Sequence, residues 1–251
     1  MTDIILHGCC GAMGKVITSL AAEDDEIRIA AGIDLKADPD LGYPVFTSCE
    51  ACDVPADVIV DFSVAPAVDQ VIDFAVKRRL PLVLCTTGLS EAQLGAVNEA
   101  SGVIPVLRSA NMSLGVNTLF KLAAAAARIL ADKGYDIEIM EKHHHRKLDA
   151  PSGTALAIAD AINEAMEGRY TYNLDRTTRR APRDPNEIGI QALRGGSIVG
   201  EHEVFYCGTD EVIEIRHTAY SRAIFGKGAL QAAAWIKGKG PGMYQMMDVI
   251  G

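Results

Sequence analysis

A short apolar run, Ile4-Ile5-Leu6, leads into His7-Gly8-Cys9-Cys10-Gly11-Ala12-Met13-Gly14, and apolar residues at helical spacing follow at Val16, Ile17, Leu20 and Ala21. Strand, glycine turn and helix in that order open a βαβ unit, which commits a chain to a parallel sheet with helices packed on its faces. In such a turn Gly8 permits the tight reversal, Gly11 lets backbone approach a pyrophosphate, and Gly14 lets the helix pack close on the sheet. A glycine triplet by itself also fits a generic turn. Here a second strand, residues 27–33, ends at Asp34, about twenty residues beyond the glycines, where a carboxylate accepts both ribose hydroxyls of an adenosine and repels a 2′-phosphate. Glycines and acid together read as a dinucleotide site; the rival is an ordinary α/β turn followed by a solvated aspartate. Lys36, two residues on, offsets part of the repulsion, so NADPH stays admissible beside NADH.

The alternation continues. Residues 56–62 form a third strand, and Ser63-Val-Ala-Pro66 starts a helix with proline where its missing N–H does no harm. Residues 82–85 and 104–107 are two more strands, and Ser90 with Gln93 has the spacing of a capping box. Ligands of an open parallel sheet bind beyond the C-terminal strand ends. The loops holding residues 8–14, Asp34, Cys85-Thr86-Thr87 and Ser109-Ala110-Asn111-Met112 are therefore expected along one edge. The first two suit an ADP half and the last two a nicotinamide; for each threonine taken alone, turn chemistry is the competing explanation.

Past Asn117 the pattern changes. Residues 119–130 read as a helix with an alanine run, and residues 136–141 alternate polar and apolar as a half-buried strand does. If that strand continued, His143, His145 and Lys147 would share one face. A helix over residues 154–166, an exposed arginine-bearing connection over 167–186, and strands at 188–193, 197–207 and 212–220 follow. An apolar helix at 225–237 is expected to return to the first domain. The expected class is α/β: a Rossmann-like parallel-sheet dinucleotide-binding domain (1–113 and 222–251) plus an α+β substrate-binding and oligomerisation domain (114–221). The latter's open sheet is antiparallel in its simplest arrangement, or mixed.

Composition narrows the function. A chain of 251 residues with net charge −9 and pI near 5.1 has no long basic surface for nucleic acid. No uninterrupted apolar run reaches the ~18 residues of a membrane span. The opening Met-Thr-Asp-Ile-Ile-Leu lacks a basic leader, so the expectation is a soluble, cytoplasmic protein without membrane partners. Of six cysteines, only Cys49 and Cys52 form a C-x-x-C, and no second pair matches it. Reduced thiols and no metal are expected.

The densest chemistry lies in residues 141–154, where three imidazoles and two or three cations precede Pro151-Ser152-Gly153-Thr154 and an alanine-rich helix. Cations ahead of a helix N-terminus hold a carboxylate or phosphate, and the histidines move protons near neutral pH. A solvated, charged strand end is the bland alternative. Consecutive histidines do not all converge on one ion, which argues against a metal site there.

Residues 141–155, Glu-Lys-His-His-His-Arg-Lys-Leu-Asp-Ala-Pro-Ser-Gly-Thr-Ala, resemble the signature of the 4-hydroxy-tetrahydrodipicolinate reductase (dihydrodipicolinate reductase) family, of the diaminopimelate route to lysine. The likeness extends over the Gly8 loop, Cys85-Thr-Thr-Gly, residues 109–117, Arg194-Gly-Gly-Ser-Ile-Val-Gly-Glu-His202 and the ending 242–249. It implies that His143 protonates the enamine carbon after hydride arrives, with Lys147 assisting at a substrate carboxylate. His144, Gly153 and Thr154 would contact the substrate, a small cyclic dicarboxylate. The implied dinucleotide contacts are Gly8, Cys9, Cys10, Gly11, Ala12, Met13, Asp34, Cys85, Thr86, Thr87, Ser109, Ala110, Asn111 and Met112. The family's homotetramer, assembled through substrate-domain sheets, is implied as well. Ala12 stands where the family usually has Arg, and Leu35 where Arg is common in users of NADPH; with Asp34 they tilt the expectation to NADH. His145-Arg146 inverts the usual order, and Met247 replaces a common Arg. Two rivals are a dehydrogenase of the aspartate dehydrogenase kind, which has no need of Lys147 with Gly153-Thr154, and an inactive nucleotide-binding regulator, which has no use for His143.

Overall fold

Apolar residues that continue without alternation demand cover on both faces, and the first strands of this chain receive it. A computed structural model describes residues 1–177 and 179–251. In chain order it has β1 (Thr2–His7), α1 (Ala12–Ala21), β2 (Ile27–Ile33), β3 (Val45–Phe46), β4 (Val58–Asp61), α2 (Val68–Arg78), β5 (Leu82–Leu84), α3 (Glu91–Ser101) and β6 (Pro105–Arg108). Then come α4 (Leu114–Leu130), β7 (Asp136–His143), α5 (Gly153–Ala165), β8 (Thr171–Asn173), β9 (Glu187–Arg194), β10 (Gly200–Gly208) and β11 (Glu211–Ala219). The chain closes with α6 (Ala223–Ile236), β12 (Gly242–Tyr244) and α7 (Met246–Val249). It divides into two units, Met1–Ser113 with Ala223–Gly251, and Leu114–Arg222.

The first unit is a seven-stranded parallel sheet of order β12-β6-β5-β4-β1-β2-β3. Every residue of β4 and β5 is buried. On one side Ile5, Ile33, Ile59 and Leu84 pack with Val71, Phe74 and Val97 of α2 and α3, and Cys49 and Cys52 are absorbed into the same core. All six cysteines are free thiols. The expected capping box forms at Ser90 and Gln93, and Pro66 sits in the first turn of a short 3-10 segment ahead of α2. Helix α6 packs against α1, where Gly226 lies close to Leu20 and Ile17.

The second unit is a five-stranded sheet of order β11-β10-β7-β9-β8. Antiparallel pairing holds for β10 with β11 and with β7, but β7, β9 and β8 run parallel. The sheet is thus mixed rather than antiparallel, because α5 provides the crossover that parallel neighbours require. Two expectations change here. Helix α4 starts at Leu114, five residues ahead of the alanine-led reading, directly after the Asn111 side chain accepts from the Ser113 amide at 2.9 Å. The connection 167–186 is not simply exposed: it carries β8, and Arg183 reaches Glu138 (2.9 Å), Asp136 (2.9 Å) and the carbonyls of Ile137 and Glu187. Arg176 pairs with Glu187 as well.

By length and composition, residues 114–133 could cross a membrane, with a mean hydropathy of 1.4. In the fold one side of this helix, through Val116, Leu119, Phe120, Ala123 and Ala127, is buried against α5 and the sheet. The Tyr206 hydroxyl donates to its Ala123 carbonyl at 2.5 Å.

The glycine turn makes a stability prediction. A Cβ on Gly14 would lie 2.3 Å from the Gly8 carbonyl oxygen and 2.4 Å from that of Cys9. Both are backbone atoms and cannot yield cheaply, so Gly14→Ala should lose about 1–3 kcal/mol in urea denaturation. A midpoint matching wild type would show that this turn relaxes freely.

Candidate active site

In the parallel sheet, His7 pairs in register with Ile33 and with Asp61, Asp61 with Leu84, and Leu84 with Arg108. Five strand ends are therefore level, and the residues just beyond them form a single row. That row holds Gly8, Asp34, Ser63, Cys85-Thr86-Thr87 and Ser109-Ala110-Asn111-Met112. Gly8 adopts φ +82°, and a Cβ there would meet the Phe62 carbonyl oxygen at 2.5 Å. Gly11 caps α1 without a side-chain hydrogen bond, and no acidic residue lies in its first turn. Its amides and dipole are thus open to an anion. Asp34 accepts from the Cys10 amide at 2.9 Å and the Leu35 amide at 2.8 Å, which anchors its carboxylate beside the glycine turn. Leu35 is 88% exposed.

Beneath this row is a network that sequence reasoning overlooked. Asp61 has no exposure, and its carboxylate takes the His7 Nδ1 at 2.6 Å and the Thr86 hydroxyl at 2.5 Å. The Thr86 side chain is thereby turned inward, whereas Thr87 is exposed. A signal was present: an aspartate ending the apolar run Val58-Ile59-Val60 is headed for burial and needs partners.

Cys9, Cys10 and Asp34 bring donor atoms within 4.8 Å of one another, a grouping absent from the metal reading of the sequence. Burial pushes the Cys9 thiol up to about 12.

In the second unit, β7 alternates strictly, with Ile137, Ile139, Glu141 and His143 on the covered face. The strand stops at His143. His144 to Lys147 then turn, with the Lys147 amide donating to the His144 carbonyl at 3.1 Å and the His145 amide to Gly196. His143, His145 and Lys147 therefore do not share a strand face: His143 is buried, His145 exposed and Lys147 in between. Glu141 is fully buried and accepts from His143 Nδ1 (2.6 Å), Arg194 (2.6 and 2.7 Å) and the Ser152 amide (2.9 Å). Burial pulls its pKa up, but hydrogen bonds from His143, Arg194 and Ser152 prevail and hold it down at about 2.

Ser152 caps α5 by accepting from the Ala155 amide at 3.1 Å, and its hydroxyl also lies 3.0 Å from His202 Nε2. His202 stacks edge-on to His143 with centroids 5.2 Å apart. Burial, with His143 next, presses the His202 pKa down to about 3. His144 is also held below its ordinary value, by desolvation and then by Arg146 and Arg222. Lys147 is engaged: its ammonium lies 2.8 Å from Asp149. That pair, with burial opposing and the Gly153 amide helping, keeps Asp149 below the usual carboxylate range. Lys147, assigned to a substrate carboxylate, thus already pairs with a carboxylate of the same turn. Glu141, Arg194 and His202 lie inside the quoted motifs, yet nothing in their spacing announces one shared network.

Residues 2–112 match the family model for the dihydrodipicolinate reductase N-terminus, and residues 115–250 that for its C-terminus. The chain belongs to the dihydrodipicolinate reductase family. A relative named 4-hydroxy-tetrahydrodipicolinate reductase from Caldanaerobacter subterraneus subsp. tengcongensis is 50% identical over 250 residues, covering 100% of this chain and 98% of its own. One of the same name from Aquifex aeolicus is 42% identical, covering 99% and 98%. The fold resembles a dipicolinate-bound dihydrodipicolinate reductase from Paenisporosarcina sp. TG-14, with TM-score 0.82 and 23% identity over 98% of this chain and 97% of that one. The family uses a nicotinamide dinucleotide, and the glycine turn, the open α1 terminus and the anchored Asp34 of the first unit fit such a group.

The buried His202 makes this unit acid-sensitive. Its folded pKa lies below the unfolded value near 6.5, so the unfolded chain binds the extra proton between roughly pH 6.5 and 3. Stability is complete above that window and falls as pH drops through it, by about 1.4 kcal/mol per unit from this residue. His202→Gln should flatten the dependence in denaturant titrations at pH 4–7; an unchanged slope would assign the sensitivity elsewhere.

Proposed function

We propose that this protein reduces 4-hydroxy-tetrahydrodipicolinate to tetrahydrodipicolinate with NAD(P)H, in the diaminopimelate pathway of lysine biosynthesis. The observation that carries the reading is the Lys147 ammonium 2.8 Å from the Asp149 carboxylate, in the turn just ahead of the α5 N-terminus. An intramolecular carboxylate in that place supports recognition of a substrate carboxylate by Lys147, assisted by the N-terminus of α5 with Gly153 and Thr154. Within the same unit His143 is the proton donor, and His144 and Lys147 face the substrate.

When bound, a reduced nicotinamide would supply the hydride. The work of the residues is then to place two carboxylates, stabilise developing negative charge and deliver one proton. Loss of the 4-hydroxyl as water gives the unsaturated imine, and Lys147 offsets charge that forms on the ring as that imine is reduced. His143 delivers the proton to the adjacent carbon, a task suited to an imidazole near neutral pH. Gly8, Cys9, Cys10, Gly11, Ala12, Met13 and Asp34 hold the ADP half, and Cys85-Thr86-Thr87 with Ser109-Ala110-Asn111-Met112 hold the nicotinamide half. For Thr86 the backbone is the contacting part, because its hydroxyl serves Asp61.

NADH is the preferred donor in this reading, since Asp34 repels a 2′-phosphate and Leu35 offers no cation. Residues 1–113 with 222–251 form the dinucleotide domain, and 114–221 the substrate and oligomerisation domain. A homotetramer is proposed through the five-stranded sheet, on which Leu193, Val212 and Ile213 are exposed. The cytoplasm is the proposed compartment.

Steady-state rates with substrate made in situ test the reaction. His143→Gln should lower kcat by about 100-fold or more while NADH binding is retained. Nucleotide binding without turnover in the wild type would overturn the assignment in favour of a regulator. On cofactor choice, kcat/KM should favour NADH, and Asp34→Ser should shift the ratio toward NADPH by about tenfold. A ratio unmoved by that change would show that Asp34 does not set the preference.

A further inference from the structure

We propose that Glu141 is the positioning residue of the proton donor: its carboxylate orients His143 and fixes that imidazole to the start of α5. This rests on His143 acting as the acid. Period-two alternation places residues 141 and 143 side by side on the covered face of β7. A carboxylate there loses all contact with water, and it persists only if its oxygens are filled. They are: Oε2 takes His143 Nδ1 and one Arg194 nitrogen, while Oε1 takes the other Arg194 nitrogen and the Ser152 amide.

The consequence for the imidazole is chemical. An ionised carboxylate only accepts, so the Nδ1 facing it carries the hydrogen. Nε2 is then the ring atom left to give up and recover a proton. Nε2 points toward Gly200, where a Cβ would come within 3.1 Å. A glycine there keeps the working nitrogen uncrowded. The second oxygen of Glu141 meanwhile holds the amide of the α5 N-cap, immediately before Gly153 and Thr154. One carboxylate thus sets both the direction of the acid and the position of the anion cradle.

The charged and titratable groups around His143 are Glu141 on its own strand, Arg194 on β9, His202 on β10 and His217 on β11, with His144, Lys147 and Asp149 in the following turn. Arg194 is spent on Glu141 and on the Asp149 carbonyl. His202 and His217 are held toward the neutral form by burial. Glu141 is therefore the anion in direct contact with the imidazolium, and removing its charge destabilises that protonated form.

The test compares wild type, Glu141→Gln, Glu141→Asp and His143→Gln by kcat/KM for the substrate against pH, together with NADH affinity. Activity requires protonated His143, so it falls on the alkaline side. In Glu141→Gln that limb should move to lower pH by about one unit, with kcat reduced about tenfold to 100-fold and NADH affinity unchanged. Glu141→Asp, which keeps the charge but draws it back from Nδ1, should move the limb the same way by less; it carries the test should the glutamine variant fail to fold. A lower rate with an unmoved limb in the folded variants would make Glu141 purely structural and overturn the proposal. Full activity in His143→Gln would instead overturn the assignment of the acid itself.

Discussion

A charge removed from water must be fully paired or given up, and this constraint shapes both candidate regions of the protein. Asp61 ends a strand whose other residues are all buried, and Glu141 lies on the covered face of β7. Neither has solvent exposure. Each recruits an imidazole and hydroxyl, guanidinium or amide donors; His143 is two residues from Glu141, while the remaining partners come from other loops and strands of the chain. Because the partners come from elsewhere, each carboxylate fixes the mutual placement of several segments. Asp61 ties the ends of β1 and β5 together beneath the glycine turn. Glu141 ties β7, β9 and the first turn of α5.

This arrangement sets the positions of the two helix N-termini that can hold anions. Backbone amides at the head of α1 and at the head of α5 are the natural holders of phosphate and carboxylate. Amides bind anions well only when their positions are set beforehand, and buried hydrogen bonds set them. Asp149 and Lys147, two residues apart, pair at 2.8 Å in the turn ahead of α5.

Much of the fold was legible from the residues. The apolar runs of β1, β2, β4 and β5, the capping box at Ser90, and the alternation of β7 are local patterns, and local patterns survive folding when burial agrees with them. What failed was non-local. Helix α4 begins ahead of its alanine run, at Leu114, and burial of Val116 and Asn117 outweighs the weak helix propensity of Gly115 and Val116. The stretch after α5 looked solvated because it is rich in arginine. Arg183 and Arg176 are instead drawn to the acids of β7 and β9, which no window of sequence reveals.

By itself the sequence determined the parallel, dinucleotide-type architecture, the mixed second sheet as one of two options, and the motifs on which the family likeness rests, because glycine turns, strand periodicity and a dense motif are written in adjacent positions. Only the tertiary structure decided that β9 returns parallel to β7, that Lys147 leaves the face His143 occupies, and that Thr86 turns inward. It alone assembled Glu141, Arg194, Ser152 and His202 around the imidazole. The physical reason is that buried polar groups choose partners by distance in space, and spacing along the chain carries no record of that choice.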